Sequence, residues 1–204
     1  KESRQSIRIV DHFLKHKINE VNYVVCKFID SMLNDKNLQN TDNYDDIIKG
    51  MDKTIIHFVL KSNWRNISAF LIENGIELNH IHEGNSVLHL GCSRQNFGEK
   101  NSVLSLLLTK LIANKTDLKS LLKTKDKNGN TPLSVAVESG ENDNVTNILD
   151  TCNDLQILDS VIMNENLDGK NILHVAAGHD CDNNIFTTLL KYLNSKQPEK
   201  LTKL

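Results

Sequence analysis

Four short phrases recur along this 204-residue chain at positions where a helix would begin: Thr54-Ile55-Ile56-His57, Ser86-Val87-Leu88-His89, Thr131-Pro132-Leu133-Ser134 and Asn171-Ile172-Leu173-His174. Each opens on a small polar residue of the kind that caps a helix, and three close on histidine. Repetition at this spacing restricts the fold more than any other feature. A repeated supersecondary unit cannot bury its apolar face alone and must stack on its neighbours. The origins are spaced 32, 45 and 40 residues apart, so insertions have to be located.

The third copy carries the physics most fully. In Asp126-Lys127-Asn128-Gly129-Asn130-Thr131-Pro132-Leu133, Gly129 supplies the positive φ of a tight turn tip and Asp126 accepts from amides two residues on. Thr131 is the expected N-cap, and Pro132 the first helical residue, where its missing amide hydrogen costs nothing. Val135-Ala136-Val137 are small enough for close packing, Gly140 stops the helix, and Val145, Ile148 and Leu149 give a second helix its apolar face. The unit reads as turn, short helix, loop, second helix. The fourth copy repeats it with Asn166, Gly169, Asn171, Leu173, His174, Ala176 and Ala177, then Ile185, Leu189 and Leu190. The second has Gly84, Ser86, Leu88, His89, Gly91 and Cys92, and the first has Ile67, Phe70, Leu71 and Ile72 before Gly75-Ile76-Glu77-Leu78-Asn79.

This pattern resembles the ankyrin repeat, whose consensus runs roughly D-x-x-G-x-T-P-L-H-x-A-A-x-x-G, then V-x-x-L-L and a closing G-A-D-x-N. The resemblance implies an all-α fold, an ankyrin-repeat solenoid of stacked helix pairs. It also implies that His57, His89 and His174 are structural, bonding neighbouring turns, and that a partner protein is gripped by the turn tips and the exposed side of the first helices. Mapped onto this chain, the tips are His82, Glu83 and Asn85, then Lys127, Asn128 and Asn130, then Leu167, Asp168 and Lys170. Leu167, the one apolar tip residue, either anchors a contact or packs against the neighbouring tip, and the second is favoured. Glu138, Ser139, His179 and Trp64, near the ends of first helices, are secondary candidates.

The uneven period has a regular source. Residues 116–123 and 156–163 place Leu118, Leu121 and Leu122 in register with Leu158, Val161 and Ile162, an amphipathic short helix inserted after the second helix of a copy. A third insertion is expected from Pro198, with Leu201 and Leu204 in that register. Ending inside an insertion and beginning on Lys1, the chain is expected to be a piece of a longer protein with further repeats. Residues 1–50 read differently: Ile7, Val10, Leu14, Ile18, Val21, Val25, Phe28 and Met32 predict one long helix or two shorter ones. A dimerising coiled coil is the alternative to a helical cap or degenerate repeat; Val24 and Ile29 widen the apolar face and favour the cap. Residues 34–46, rich in Asn and Asp, form a polar connection. The expected organisation is therefore a cap over 1–50 and a repeat domain over 51–204.

Composition bears on function by exclusion. A net charge of −2 and no basic stripe interleaved with aromatics argue against a nucleic-acid partner. No apolar run reaches the length of a membrane span, and the first residues are unlike a signal peptide. Cys26, Cys92, Cys152 and Cys181 lack closely spaced pairs, so buried reduced thiols are expected in a cytoplasmic protein rather than a zinc site. The N-x-S/T sequences at Asn66, Asn114 and Asn144 are read as accidental, because Ile67 and Val145 occupy packing positions. His179 and Cys181 fall in a loop without a metal or nucleophile constellation. No phosphate loop, H-E-x-x-H or G-x-S-x-G occurs. No catalytic residues, metal or cofactor are expected.

The expected function is a protein–protein interaction module. Its inserted leucine-lysine helices resemble repeats of secreted effectors of host-associated bacteria, which implies a host protein as partner and the host cytoplasm or nucleus as its place. The alternatives are the targeting segment of a multidomain enzyme (a protease, deubiquitinase or transferase) and a regulator similar to the inhibitors of NF-kappa-B, to which Gly84-Asn85-Ser86-Val87-Leu88-His89-Leu90 is similar.

Overall fold

A computed structural model of the chain describes residues 24–27, 29, 48, 50–93, 103–178 and 184–196. The chain divides into two compact units, Lys1–Glu77 and Leu78–Leu204, and it is mostly helical.

In the first unit, helix α1 (Ile55–Lys61) packs on α2 (Arg65–Glu73). Thr54 stands at the N-cap without a side-chain cap, and its own amide donates to Asp52 Oδ1 at 2.7 Å. The buried Ile67, Leu71 and Ile72 recur at the spacing that gives α2 one apolar face. Gly75, at φ +87°, ends it in the left-handed conformation while the Ile76 amide donates back to Leu71 O at 3.0 Å. Of the two residues expected to widen the N-terminal apolar face, Ile29 is buried but Val24 is exposed. The expected face is narrower there, because Cys26 and Ile29 rather than Val24 point inward. Residues 24–27 are helical with Val25 half-buried, while the rest of the helix reading over 7–32 and the connection at 34–46 lie outside the described residues.

The second unit runs β1 (Ile81–His82), β2 (Asn85–Ser86), α3 (Val87–Cys92), α4 (Val103–Ala113), α5 (Leu118–Lys123), α6 (Pro132–Ser139), α7 (Asn142–Asp154), α8 (Leu158–Ile162), α9 (Ile172–Gly178) and α10 (Ile185–Lys196). Like packs on like. The first helix α6 touches α3 on one side and α9 on the other, the second helix α7 meets α10, and the inserted helices α5 and α8 meet each other. Polar bonds tie the second helices together: Asn147 Nδ2 donates to Ser105 Oγ at 3.3 Å and Thr188 Oγ1 to Asn142 Oδ1 at 3.0 Å.

Gly91, Ala136 and Ala176 occupy one position in successive copies, and small size there lets α3 lie close on α4, since a Cβ on Gly91 would lie 2.9 Å from Leu107 Cδ1. Leu133, Ala136 and Val137 bury α6, and Val145, Ile148 and Leu149 bury α7. Thr131 caps α6 with Pro132 at its first turn, and Gly140 closes it at φ +78°. The inserted helices bury the expected residues, Leu118, Leu121 and Leu122 in one and Leu158, Val161 and Ile162 in the other. Both follow a left-handed closure made without glycine. Lys115 has φ +53° and Gln156 φ +58°, while the Thr116 and Ile157 amides donate back to Leu111 O at 3.1 Å and Cys152 O at 2.9 Å. The third insertion, from Pro198, lies outside the described residues.

No helix among the described residues is long and apolar enough to cross a membrane. Cys26, Cys92 and Cys152 are buried and unbonded, and burial pushes the Cys26 and Cys152 thiols up to about 12 and that of Cys92 higher still. Thiols held in that state are poor nucleophiles. Asn144, the acceptor of one N-x-T sequence, is fully buried, and so are the middle residues Ile67 and Val145.

Candidate functional site

Two turns of the second unit are each built by one polar residue. Asp126 Oδ1 accepts from the amides of Asn128 at 2.8 Å and Asn130 at 2.9 Å, while the backbone closes through Asp126 N to Asn130 O and Gly129 N to Asp126 O. Forty residues on, Asn166 Oδ1 accepts from Asp168 and Lys170 amides, both at 3.0 Å, with the same backbone closure. Ile81 stands where Asp126 and Asn166 do and offers no acceptor. There the chain forms a hairpin instead, Ile81 opposite Ser86 and His82 opposite Asn85, with Glu83 at φ +51° and Gly84 at φ +83°. Asp126→Ala leaves two amides without their acceptor and is expected to cost about 1 kcal/mol. A urea midpoint equal to the wild type's would contradict that role.

Consecutive tips are joined. The Leu167 amide donates to Asn128 O at 2.9 Å, Asn166 Nδ2 to Asn130 Oδ1 at 3.2 Å, and Lys125 Nζ to Glu165 O at 3.0 Å. Contact is close enough that a Cβ on Gly84 would sit 3.1 Å from Lys127 Cγ, and one on Gly129 2.8 Å from Leu167 N. The tips therefore form one row with a fixed backbone.

Along that row Glu83, Lys127, Asn128, Leu167, Asp168 and Lys170 are exposed, and His82 and Asn85 are half-buried. Asn130 differs from expectation, at only 3% exposed. The turn folds it inward, where its Nδ2 donates to Glu138 Oε1 at 3.2 Å, its Oδ1 accepts from Asn166 and its carbonyl accepts from His89. It holds turns together and presents nothing to a partner. Leu167 also departs from the favoured reading, because only its backbone joins the neighbouring tip and the residue is 77% exposed. Lys170 and Asp168 form an exposed ion pair at 3.8 Å, a contact of little energetic weight.

The secondary candidates are mostly structural. Glu138 receives Asn130, and Ser139 Oγ donates to Ala136 O in its own helix. Trp64, in the first unit, packs edge-on to Phe58 at 6.3 Å with Lys27 Nζ 5.8 Å from its ring. His179 lies outside the described residues, as does Cys181.

His89 is the polar centre of the second unit. The Ser86 amide donates to Nδ1 at 3.2 Å and Ser86 Oγ lies 2.8 Å from the same atom, so Nδ1 is the acceptor. The ring proton then sits on Nε2, which donates to Asn130 O at 3.1 Å. Burial holds the pKa below the usual histidine range, outweighing the opposing pull of the Asn130 carbonyl and Asp126. His174, exposed, bonds its own turn instead, with Nδ1 2.8 Å from Asn171 Oδ1. His57 is buried in the first unit. Among the described residues, no group of three or more His, Cys, Asp or Glu side chains is placed to hold a metal ion.

Comparison with protein-family models and with curated proteins gives no match.

Proposed function

We propose that the chain is an ankyrin-repeat array with inserted short helices, which holds a partner protein against its turn tips and the exposed side of its first helices and catalyses no reaction. The observation that carries this reading is the row of tips. Asp126 and Asn166 cage the backbone of two turns, the Leu167 amide locks one turn to the next, and Lys127, Asn128, Leu167 and Asp168 stay exposed. Side chains on a backbone ordered beforehand lose less entropy on binding. One exposed leucine among lysine, asparagine and aspartate suits a protein surface, where an apolar anchor sits inside a polar rim. The resemblance of the inserted helices to those of host-directed bacterial effectors favours a host protein as the partner.

The test is capture from cell lysate by the intact chain and by a variant carrying Lys127→Ala, Asn128→Ala, Leu167→Ala and Asp168→Ala. Asn130 is left in place, since its loss would disturb the turns. The variant is expected to keep its circular dichroism and melting temperature and to bind its partners about thirtyfold more weakly or worse, a loss on the scale of a hot-spot residue. A folded variant that retains every partner at full affinity contradicts the reading.

A further inference from the structure

Adjacent copies of the second unit carry opposite charge on the same face. From Val103 to Lys127 the sequence holds six lysines and two aspartates, whereas between Lys127 and Lys170 it holds eight carboxylates and no lysine or arginine. The buried positions Leu118 and Leu158, and the turn residues Asp126 and Asn166, set the register between the copies. In that register Lys119 becomes Asp159, Lys125 becomes Glu165 and Lys123 becomes Met163, each of them exposed. Asp154 at the end of α7 extends the acidic side, and Lys115 at the end of α4 the basic one. Two apolar side chains lie among these charges, Ile112 at 60% and Met163 at 56% exposed.

The two bands are neighbours, since α5 packs on α8. Packed helices lie about 8–10 Å apart, about one screening length at physiological salt, so opposite bands attract each other weakly within one molecule. Among the described residues, no ion pair joins Lys115, Lys119 or Lys123 to a carboxylate.

We infer that this face docks a second copy of the chain, basic band on acidic band. The occupant follows from the charge pattern. A two-fold axis along the boundary between the bands lays Lys119 and Lys123 of each copy over Asp154, Asp159 and Glu165 of the other, and does so twice. Ile112 and Met163 supply apolar contact inside a charged rim, the usual anatomy of an interface. The contact uses α5, α8, the end of α7 and the Glu165 side chain ahead of the turn, and does not call on Asn128 or Leu167, so it is tested separately from the proposed partner surface.

Sedimentation velocity on the intact chain tests it. The wild type is expected to dimerise at low salt, with Kd rising about tenfold or more at high salt as exposed ion pairs are screened. Lys119→Glu with Lys123→Glu reverses the charge of α5, and Asp154→Lys with Glu165→Lys reverses two of the three carboxylates it would meet. Each folded double variant is expected to sediment as a monomer alone, and an equal mixture of the two to form a heterodimer. A wild type that is monomeric at low salt, or double variants that still self-associate at wild-type strength, would overturn the inference. So would a mixture that stays monomeric, leaving the bands to a partner of another kind.

Discussion

Gly129→Val lowers the stability of the second unit by about 3 kcal/mol, and the matching Gly169→Val by about 1–2 kcal/mol. Both glycines are left-handed, at φ +78° and φ +71°. A β-branched residue there costs about 1–2 kcal/mol of backbone strain in either turn. The surroundings differ. A Cβ at Gly129 would stand 2.8 Å from Leu167 N and 3.2 Å from the carbonyl carbon of Asn166, whereas one at Gly169 meets nothing within 4 Å. Leu167 N is also the donor to Asn128 O, so relieving the clash breaks the bond that joins two tips, about another 1 kcal/mol. Thermal unfolding should show a melting temperature lower by about 10 °C for Gly129→Val and by clearly less for Gly169→Val. Equal losses would mean that the tips do not touch.

The second large effect is expected at His89. His89→Ala removes a buried ring, takes one of its two donors from the Asn130 carbonyl, which keeps the Asp126 amide, and leaves the Ser86 amide without an acceptor. The cavity, the lost bond and the unpaired amide together are expected to cost about 3–4 kcal/mol. A pH dependence accompanies it. The folded pKa lies below the ordinary 6.5, so between the two values the unfolded chain binds more protons than the folded one. Stability from this residue is full above pH 6.5 and declines as the pH falls from there toward the folded pKa. The chief cause is burial, which disfavours the charged ring, and a proton on Nδ1 would in addition face the Ser86 N–H, donor against donor. Urea titrations over this range should show that decline in the wild type, with the His89 contribution to it missing from His89→Ala. An identical slope in both proteins would place the buried proton switch elsewhere.

Much of the architecture is legible because its causes are local. Thr131, Pro132 and Gly140 mark the two ends of α6 through capping and backbone conformation, and Leu118, Leu121 and Leu122 announce an inserted helix by spacing alone. The surface is less legible because its causes are distant. Asn130 reads as a tip residue, yet its amide bonds Glu138 in its own copy and Asn166 in the next, and only the stacking of turns draws it inward. Leu167 reads as a candidate for packing, but the contact it makes is through its amide, which a sequence does not distinguish from a side-chain contact. The hairpin at Ile81–Ser86 appears where Ile81 replaces the acceptor that cages the other turns. Lys115 and Gln156 close their helices in the left-handed conformation that sequence reasoning assigns to glycine. The reversal of charge between Lys119 and Asp159 is contained in the sequence register of the two insertions, but that both are exposed on helices packed side by side is known only from the structure.

Photo-crosslinking tests the partner-binding claim most directly. A photoreactive amino acid is placed singly at Asn128 or Leu167 on the tip row, and at Thr109 in α4 or Asn66 in α2 as exposed positions that do not belong to it. Illuminated in lysate, the chain is predicted to form adducts with a second protein from Asn128 and Leu167 and not from the other two. Adducts from Thr109 or Asn66 with none from the tips would contradict the assignment of the turn row as the recognition surface.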